Sequence, residues 1–314
     1  MVAATLLLAL TAVSLADDYP NRPVRLIIPF PPGGSNDVVG RLVAQQLSIK
    51  LGQQVYVDNR AGAGGKIGTE ACATATPDGY TICVISIAHA VNPALYPLKY
   101  DPIKSFTPIS IFATGPNVLV VNPTSPIRSV KDLLALAKEK PGELNYASAG
   151  VGSFQHLGAE LFKLQAQINL VHVPYKGGGP AMQDVIAGHV KIMFSSLVQT
   201  TPFIKSGQLI ALGTGGAERS PVLPDIPTIA EAGVPGYVAD NWWGLAAPAG
   251  LPQPIIDKLY AATQAALKAP ELQAQFEREG AATVVMTSAE FADYIKTEIT
   301  KWGRVVKEGN IHAQ

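Results

Sequence analysis

Surplus charge of either sign is missing from this 314-residue sequence: 24 Lys and Arg stand against 24 Asp and Glu. Nucleic-acid binding draws on a basic surplus that neutralises phosphates, so that class of partner is excluded. The same balance offers no polybasic patch for a membrane surface. Cysteine is scarce. Cys72 and Cys83 are too few for a disulfide-stapled miniature scaffold or a four-cysteine zinc site. Their pairing stays open, since export permits a disulfide while neither size nor spacing demands one. Beyond residue 16 there is no run of 18 uninterrupted apolar residues, so the mature chain is expected to be soluble.

Catalytic signatures are missing too. The Gly-rich stretch Asn59–Gly68 misses the phosphate-loop pattern, because Arg60 stands where its first Gly belongs and Ile67 follows Lys66. It also misses G-x-G-x-x-G, since the third Gly falls at 68. No G-x-S-x-G occurs, and the histidines (His89, His156, His172, His189, His312) never form H-E-x-x-H. Cys72 and Cys83 have no neighbouring His. His156 and Glu160, spaced i,i+4, have the spacing of a shared metal site but read as a structural pair. The expectation is a non-enzyme with no cofactor and no metal.

What is present is apolar. Hydrophobic residues make up 47% and charged ones 15%, enough to bury a large core and too apolar for disorder. Twenty-nine Gly and 25 Pro imply many shaped loops. The length suggests two lobes, at roughly 100–200 residues per domain. Val2–Ala16 is uncharged and apolar and ends in small residues before Asp17-Asp18, the pattern of a secretory signal peptide. No Lys or Arg precedes it, so either the true start lies upstream or the start codon is misassigned.

From Val24 onward, strand, loop and helix alternate, which predicts a parallel sheet covered by helices. Strands are expected at Val24–Pro29, Gln54–Asp58 and Tyr80–Ser86, with helices near Asn36–Leu51 and Thr69–Ala75. Residues 89–108 read as irregular. A second series has strands at Val118–Val121, Leu144–Ala147, Leu170–Val173, Val190–Phe194 and Gln208–Thr214. Its helices are Val130–Lys138, Phe154–Leu164 and Pro180–Ala187. Gly215–Pro235 reads as loop with one short helix, and Tyr237–Pro248 as a second long crossing. Helices Pro252–Lys268 and Pro270–Glu279 and a strand at Thr283–Val285 follow. Thr287 with Glu290 forms a capping box for a last helix. The chain leaves the first lobe near Val121 and returns near Asp240. Lobe 1 is therefore 17–121 with 240–314, lobe 2 is 122–239, and 1–16 is the signal peptide.

Three strand-to-helix loops carry the candidate site: Phe30–Asp37, Ser148–Ser153 and Tyr175–Gly179. Ligands of open α/β sheets bind at such loops, because a helix N-terminus offers free N–H groups and a positive dipole end. Glycine lets an anion approach the backbone. Ser35 can offer its hydroxyl to a ligand or cap the helix. Asp37, an anion beside an anion site, is expected to hold the loop through backbone N–H groups or to bind a ligand amine. A β-carbon at Gly34 is expected both to restrict the backbone and to obstruct an oxyanion. Trp242-Trp243 is either an aromatic wall for a ring-bearing ligand or hinge packing.

Several segments, in order, carry a family likeness: Tyr19-Pro20-Asn21-Arg22-Pro23-Val24, Pro29–Asp37, Val57–Gly65, Pro77-Asp78-Gly79-Tyr80-Thr81, Val173-Pro174-Tyr175-Lys176-Gly177 and Leu245–Gly250. Over Tyr19 to about Gly309 the chain resembles the Bug-type receptors, the periplasmic solute-binding proteins of tripartite tricarboxylate transporters. The two cysteines depart from that pattern. The resemblance implies an α/β, two-lobed periplasmic-binding-protein fold (type II-like) with two hinge crossings. It implies a monomer that closes on a small carboxylate in the periplasm and delivers it to integral membrane transporter subunits. The ligand would be a di- or tricarboxylate, an acidic amino acid or an aromatic carboxylate. A carboxylate sensor for a signalling partner, or an enzyme on the same fold, are the alternatives. In the family the first βα loop and its counterpart in the other lobe hold a carboxylate through backbone groups and waters. The candidate ligand-binding residues are Phe30, Gly33, Gly34, Ser35 and Asp37; Ser86 and Ala88; Ser148, Gly150, Gly152 and Ser153; Tyr175 and Lys176; Ser195; and Asp240.

Overall fold

The structure, a computed structural model, describes residues 19–313; the signal-peptide reading lies outside them. Strand β1 (Val24–Ile28) is flanked in parallel by β2 (Val55–Asn59) and β3 (Thr81–Ser86). β3 reads TICVIS and is buried at every residue, as expected of a strand covered on both faces. Helix α1 (Ser35–Leu51) follows β1 and ends where Gly52 turns left-handed at φ 68°. Helix α2 (Lys66–Ala73) precedes β3, and α3 (Ile87–Leu95) follows it.

Strand β4 (Phe106–Val121) ties the molecule together. Sixteen residues extend for roughly 50 Å, enough to serve two sheets. Residues 106–116 pair antiparallel with the returning strand β9 (Asp240–Pro248), which also pairs with β3. Residues 117–121 pair instead with β7 (Ile192–Ser196) and β8 (Ile210–Thr214). Beyond β7 lie β5 (Asn145–Ser148) and the edge strand β6 (Val171–Pro174), both parallel. The second half carries α4 (Val130–Glu139), α5 (Phe154–Ala166), α6 (Gly178–Ile186) and α7 (Leu197–Lys205). After β9 come α8 (Gln253–Leu267), α9 (Pro270–Glu279), the short β10 (Ala282–Thr283) and α10 (Ser288–Glu308). The capping box is formed: the Thr287 side chain accepts from the Glu290 N–H, and Glu290 reaches back to Thr287. Phe291, Ile295, Trp302 and Val306 are buried along α10.

Three local expectations are corrected. Residues 89–95 are helical, because α3 buries Ile87–Asn92 and packs on α10 although Pro93 lies inside it. Helix α7 fills the gap between β7 and β8. Its internal Pro202 and β-branched Thr200 and Thr201 hid it, and both hydroxyls bond back to backbone carbonyls one turn earlier. No helix forms in 215–235, which is a series of turns.

The two tryptophans are core residues. Trp242 Nε1 and Trp302 Nε1 both donate to Glu298 Oε2, each at 2.9 Å, and Trp243 is wholly buried. Of their two readings, packing is the one the structure takes. Cys72 on α2 and Cys83 on β3 are joined in a disulfide, with Cα atoms 6.2 Å apart and both residues buried.

Candidate functional site

The first βα loop is fixed from behind. Asp37, buried in the first turn of α1, accepts from the Gly33 N–H through Oδ2 at 3.0 Å. Its Oδ1 accepts from Arg41 Nε and Asn59 Nδ2, each at 2.9 Å. Asn59 also donates to the Phe30 carbonyl at 2.9 Å. Asp37 thus holds the loop through the Gly33 N–H and through Asn59. Gly33 sits at φ +82°, where a side chain is strained. Gly34 is the N-cap of α1, so Ser35 does not cap it, and no side chain caps that helix.

Four helix N-termini converge on one cavity. α1 contributes Gly34, Ser35 and Asn36. α3 contributes Ser86, Ile87 and Ala88. α5 contributes Phe154 and Gln155 with Ala149 from the preceding loop, and α6 contributes Gly178. The first N–H groups of a helix have no intrahelical partner. On α1, α3 and α6 no side chain caps them either. The lining contains no charged side chain. Asn36 Oδ1 is buried without a partner inside the chain. Four partial positive ends around a neutral cavity select for negative charge.

The cavity holds about 10 Å³ of free space, roughly the room of one water, because the facing loops touch. A β-carbon built on Gly34 lies 3.8 Å from Gly178 N, and one on Gly177 falls against Pro31. At the other side Tyr96 donates to the Val151 carbonyl at 3.3 Å. A chamber of 560 Å³ adjoins the cavity and shares Phe30 and Ala149 with it. Tyr96, Gly150, Val151, Tyr175 and Lys176 line that chamber.

The remaining candidates divide. Ser148 Oγ accepts from the Gly150 N–H at 3.0 Å, and the Gly152 N–H donates to His156 Nδ1 at 3.2 Å. Ser153 is the N-cap of α5 and accepts from the His156 N–H. Ser148, Gly150, Gly152 and Ser153 thus bond within their own lobe. The Tyr175 hydroxyl donates to Asp184, and Tyr175 also lines the chamber. Ser195 is buried on β7 with its Oγ unpartnered. Asp240 stands apart, lining a separate 620 Å³ cavity with Thr114, Pro116 and Glu277. Sequence reasoning did not single out Ile87, which lies between the candidates Ser86 and Ala88. It did not single out Asn36, Ala149, Phe154, Gln155 and Gly178, although four of the five lie in or beside the Gly-rich loops named above.

The tripartite tricarboxylate transporter family receptor model matches residues 39–311. BugT of Bordetella pertussis is 40% identical over 296 residues, covering 93% of this chain and 91% of BugT. Among solved structures, the periplasmic binding protein BugD superposes with a TM-score of 0.90 at 34% identity, covering 94% of this chain and 100% of BugD. A Rhodopseudomonas palustris protein with adipate gives 0.91 at 36%, covering 94% and 99%. MatC from the same organism, with bound malate, gives 0.87 at 33%, covering 92% and 100%.

Proposed function

Since this chain belongs to the tripartite tricarboxylate transporter receptor family, we propose that it captures a small carboxylate between its two lobes in the periplasm and delivers it to the membrane subunits of such a transporter. The observation that carries this reading is the convergence of four helix N-termini, three of them uncapped by any side chain, on a cavity without a charged side chain. Backbone N–H groups satisfy a carboxylate's lone pairs, and each helix end adds about half a positive charge. The 560 Å³ chamber takes the rest of the ligand, with Lys176 at its rim. The structural neighbours hold adipate and malate, which supports a dicarboxylate. The protein is a receptor rather than an enzyme in this reading.

The lobes are 17–121 with 240–314 and 122–239, and β4 and β9 are the crossings. The change of β4's partners at Pro116 and Asn117 supports a hinge there. A thermal-shift screen against mono-, di- and tricarboxylates tests the function. A dose-dependent rise in Tm with a dicarboxylate is expected, since a ligand of the native state stabilises it by mass action. No shift with any carboxylate at millimolar concentration would overturn the reading.

A further inference from the structure

Beneath the loop Ser148–Ser153 lies a stack of three rings. His156 and His172 stack with centroids 4.0 Å apart and planes at 13°, and Tyr146 stacks on the far side of His172 at 5.1 Å. His156 is buried on α5 and Tyr146 is buried on β5. Both imidazoles are tied to the loop. His156 Nδ1 accepts from the Gly152 N–H at 3.2 Å. His172 Nε2 meets Ser148 Oγ at 2.6 Å, and that oxygen accepts from the Gly150 N–H. Gly150 and Gly152 have φ of +114° and +78°, so the loop doubles back at each and turns both N–H groups inward. What remains toward the cavity is Ala149 and the first turn of α5.

We propose that His156 and His172 are positioning residues of the binding site: the stacked imidazoles select which N–H groups of the loop face the ligand. His156 must be neutral to do so. Nδ1 of His156 accepts a hydrogen bond only without its own proton, which places the ring proton on Nε2, 3.8 Å from Glu160 Oε1. Two charged rings at stacking distance would repel. The groups facing the pair are Glu160 and Lys163 on α5 and Tyr146 on β5. Glu160 already accepts from the Tyr146 hydroxyl at 2.6 Å and from Lys163 at 2.7 Å. Burial, then Lys163, lowers the His156 pKa to about 4. Burial, then His156, lowers that of His172 to about 3. The rings stay neutral from neutral pH down to mildly acidic pH, and the loop holds one geometry over that range.

Only the effect on affinity rests on the carboxylate reading; the effect on the loop does not. The test uses the full chain and two substitutions: His156→Leu removes the acceptor, and His156→Asn returns an oxygen near the Nδ1 position. Amide hydrogen exchange is read at Gly150 and Gly152, and malate and adipate are titrated calorimetrically. In His156→Leu, exchange at Gly152 is expected to rise on the order of tenfold at unchanged global stability. Affinity for whichever probe binds is expected to fall about tenfold, the loss of one hydrogen bond's worth of order. His156→Asn is expected to restore both. Should His156→Leu not fold, His172→Gln, which keeps a polar atom near Ser148, and His172→Leu, which does not, make the same comparison at Gly150. Wild-type exchange at both glycines in a folded leucine variant would overturn the proposal. So would equal affinity of the leucine variant and wild type for a probe that binds. If neither probe binds the wild type, exchange at the two glycines alone decides the positioning role. Exchange at Gly152 is also expected to be flat in relative protection from neutral pH to about 5 and to lose protection below it, as the imidazoles protonate.

Discussion

Replacing Gly34 by valine separates two effects that the sequence runs together. Gly34 sits at φ −87° and ψ 166°, extended backbone open to any residue, so the expected backbone restriction at this position does not hold. Gly33, at φ +82°, is the residue that carries the conformational demand. What Gly34 supplies is clearance. A β-carbon there would lie 3.8 Å from Gly178 N and 3.9 Å from the Pro31 carbonyl oxygen, already in van der Waals contact. Alanine therefore fits, and valine's two further methyls meet the facing loop and prevent the lobes from closing on a carboxylate. Losing two hydrogen bonds to a charged group, at roughly 1.5–3 kcal/mol each, weakens binding by about a hundredfold or more. Gly34→Ala should stay within about threefold of wild type, less than one such bond. Gly33→Ala should bind but unfold more easily by about 1–2 kcal/mol, the strain of a left-handed residue with a side chain. Calorimetric titration with malate or adipate and urea unfolding measure all three variants. Wild-type affinity in a folded Gly34→Val protein would remove this loop from the site.

With no charged side chain in the cavity lining, affinity should change less than about threefold between low and physiological ionic strength. A steep loss would bring Lys176 or Arg60 into direct contact with the ligand. The disulfide closes a loop of separation 11, worth roughly 3 kcal/mol of stability, so the double variant Cys72→Ala, Cys83→Ala should unfold at lower urea. An equal midpoint would show that the link contributes nothing. Burial pushes the pKa of His89 and His156 down to about 4 and that of His172 to about 3. The unfolded chain then takes up protons first, so stability is full above about pH 6.5 and declines as pH falls toward about 4. Denaturant midpoints across that range check it, and a constant midpoint would refute it.

Elements with local signals were legible. β1 is a short apolar run between turn residues, α1 ends at a glycine, and α10 announces itself with Thr287 and Glu290. α3 and α7 were not, because Pro93 and Pro202 argue against helix locally while burial against distant elements decides for it. The loops of the site were legible as glycine-rich strand ends. Their inner geometry was not: which N–H groups turn toward His156 or Ser148, and which toward the cavity, depends on residues brought together by β5, β6 and α5. Asp240 stood out in the sequence because it starts the returning crossing; in the structure it lines a cavity separate from the one at the helix N-termini.

Helix α7 has a consequence for anyone who would cut or recombine this molecule. Leu197 packs in a cluster with Met182 and Met193 of the second lobe, while the next residue, Val198, packs among Val39, Leu272 and Phe276 of the first. The Thr201 hydroxyl donates to the Glu279 carbonyl at 3.3 Å. A gene fragment for residues 122–239 would carry that helix without its cradle and leave an apolar face uncovered. Chimaeras among related receptors should therefore exchange α7 together with α1 and α9, treating the seam rather than the lobe as the modular unit.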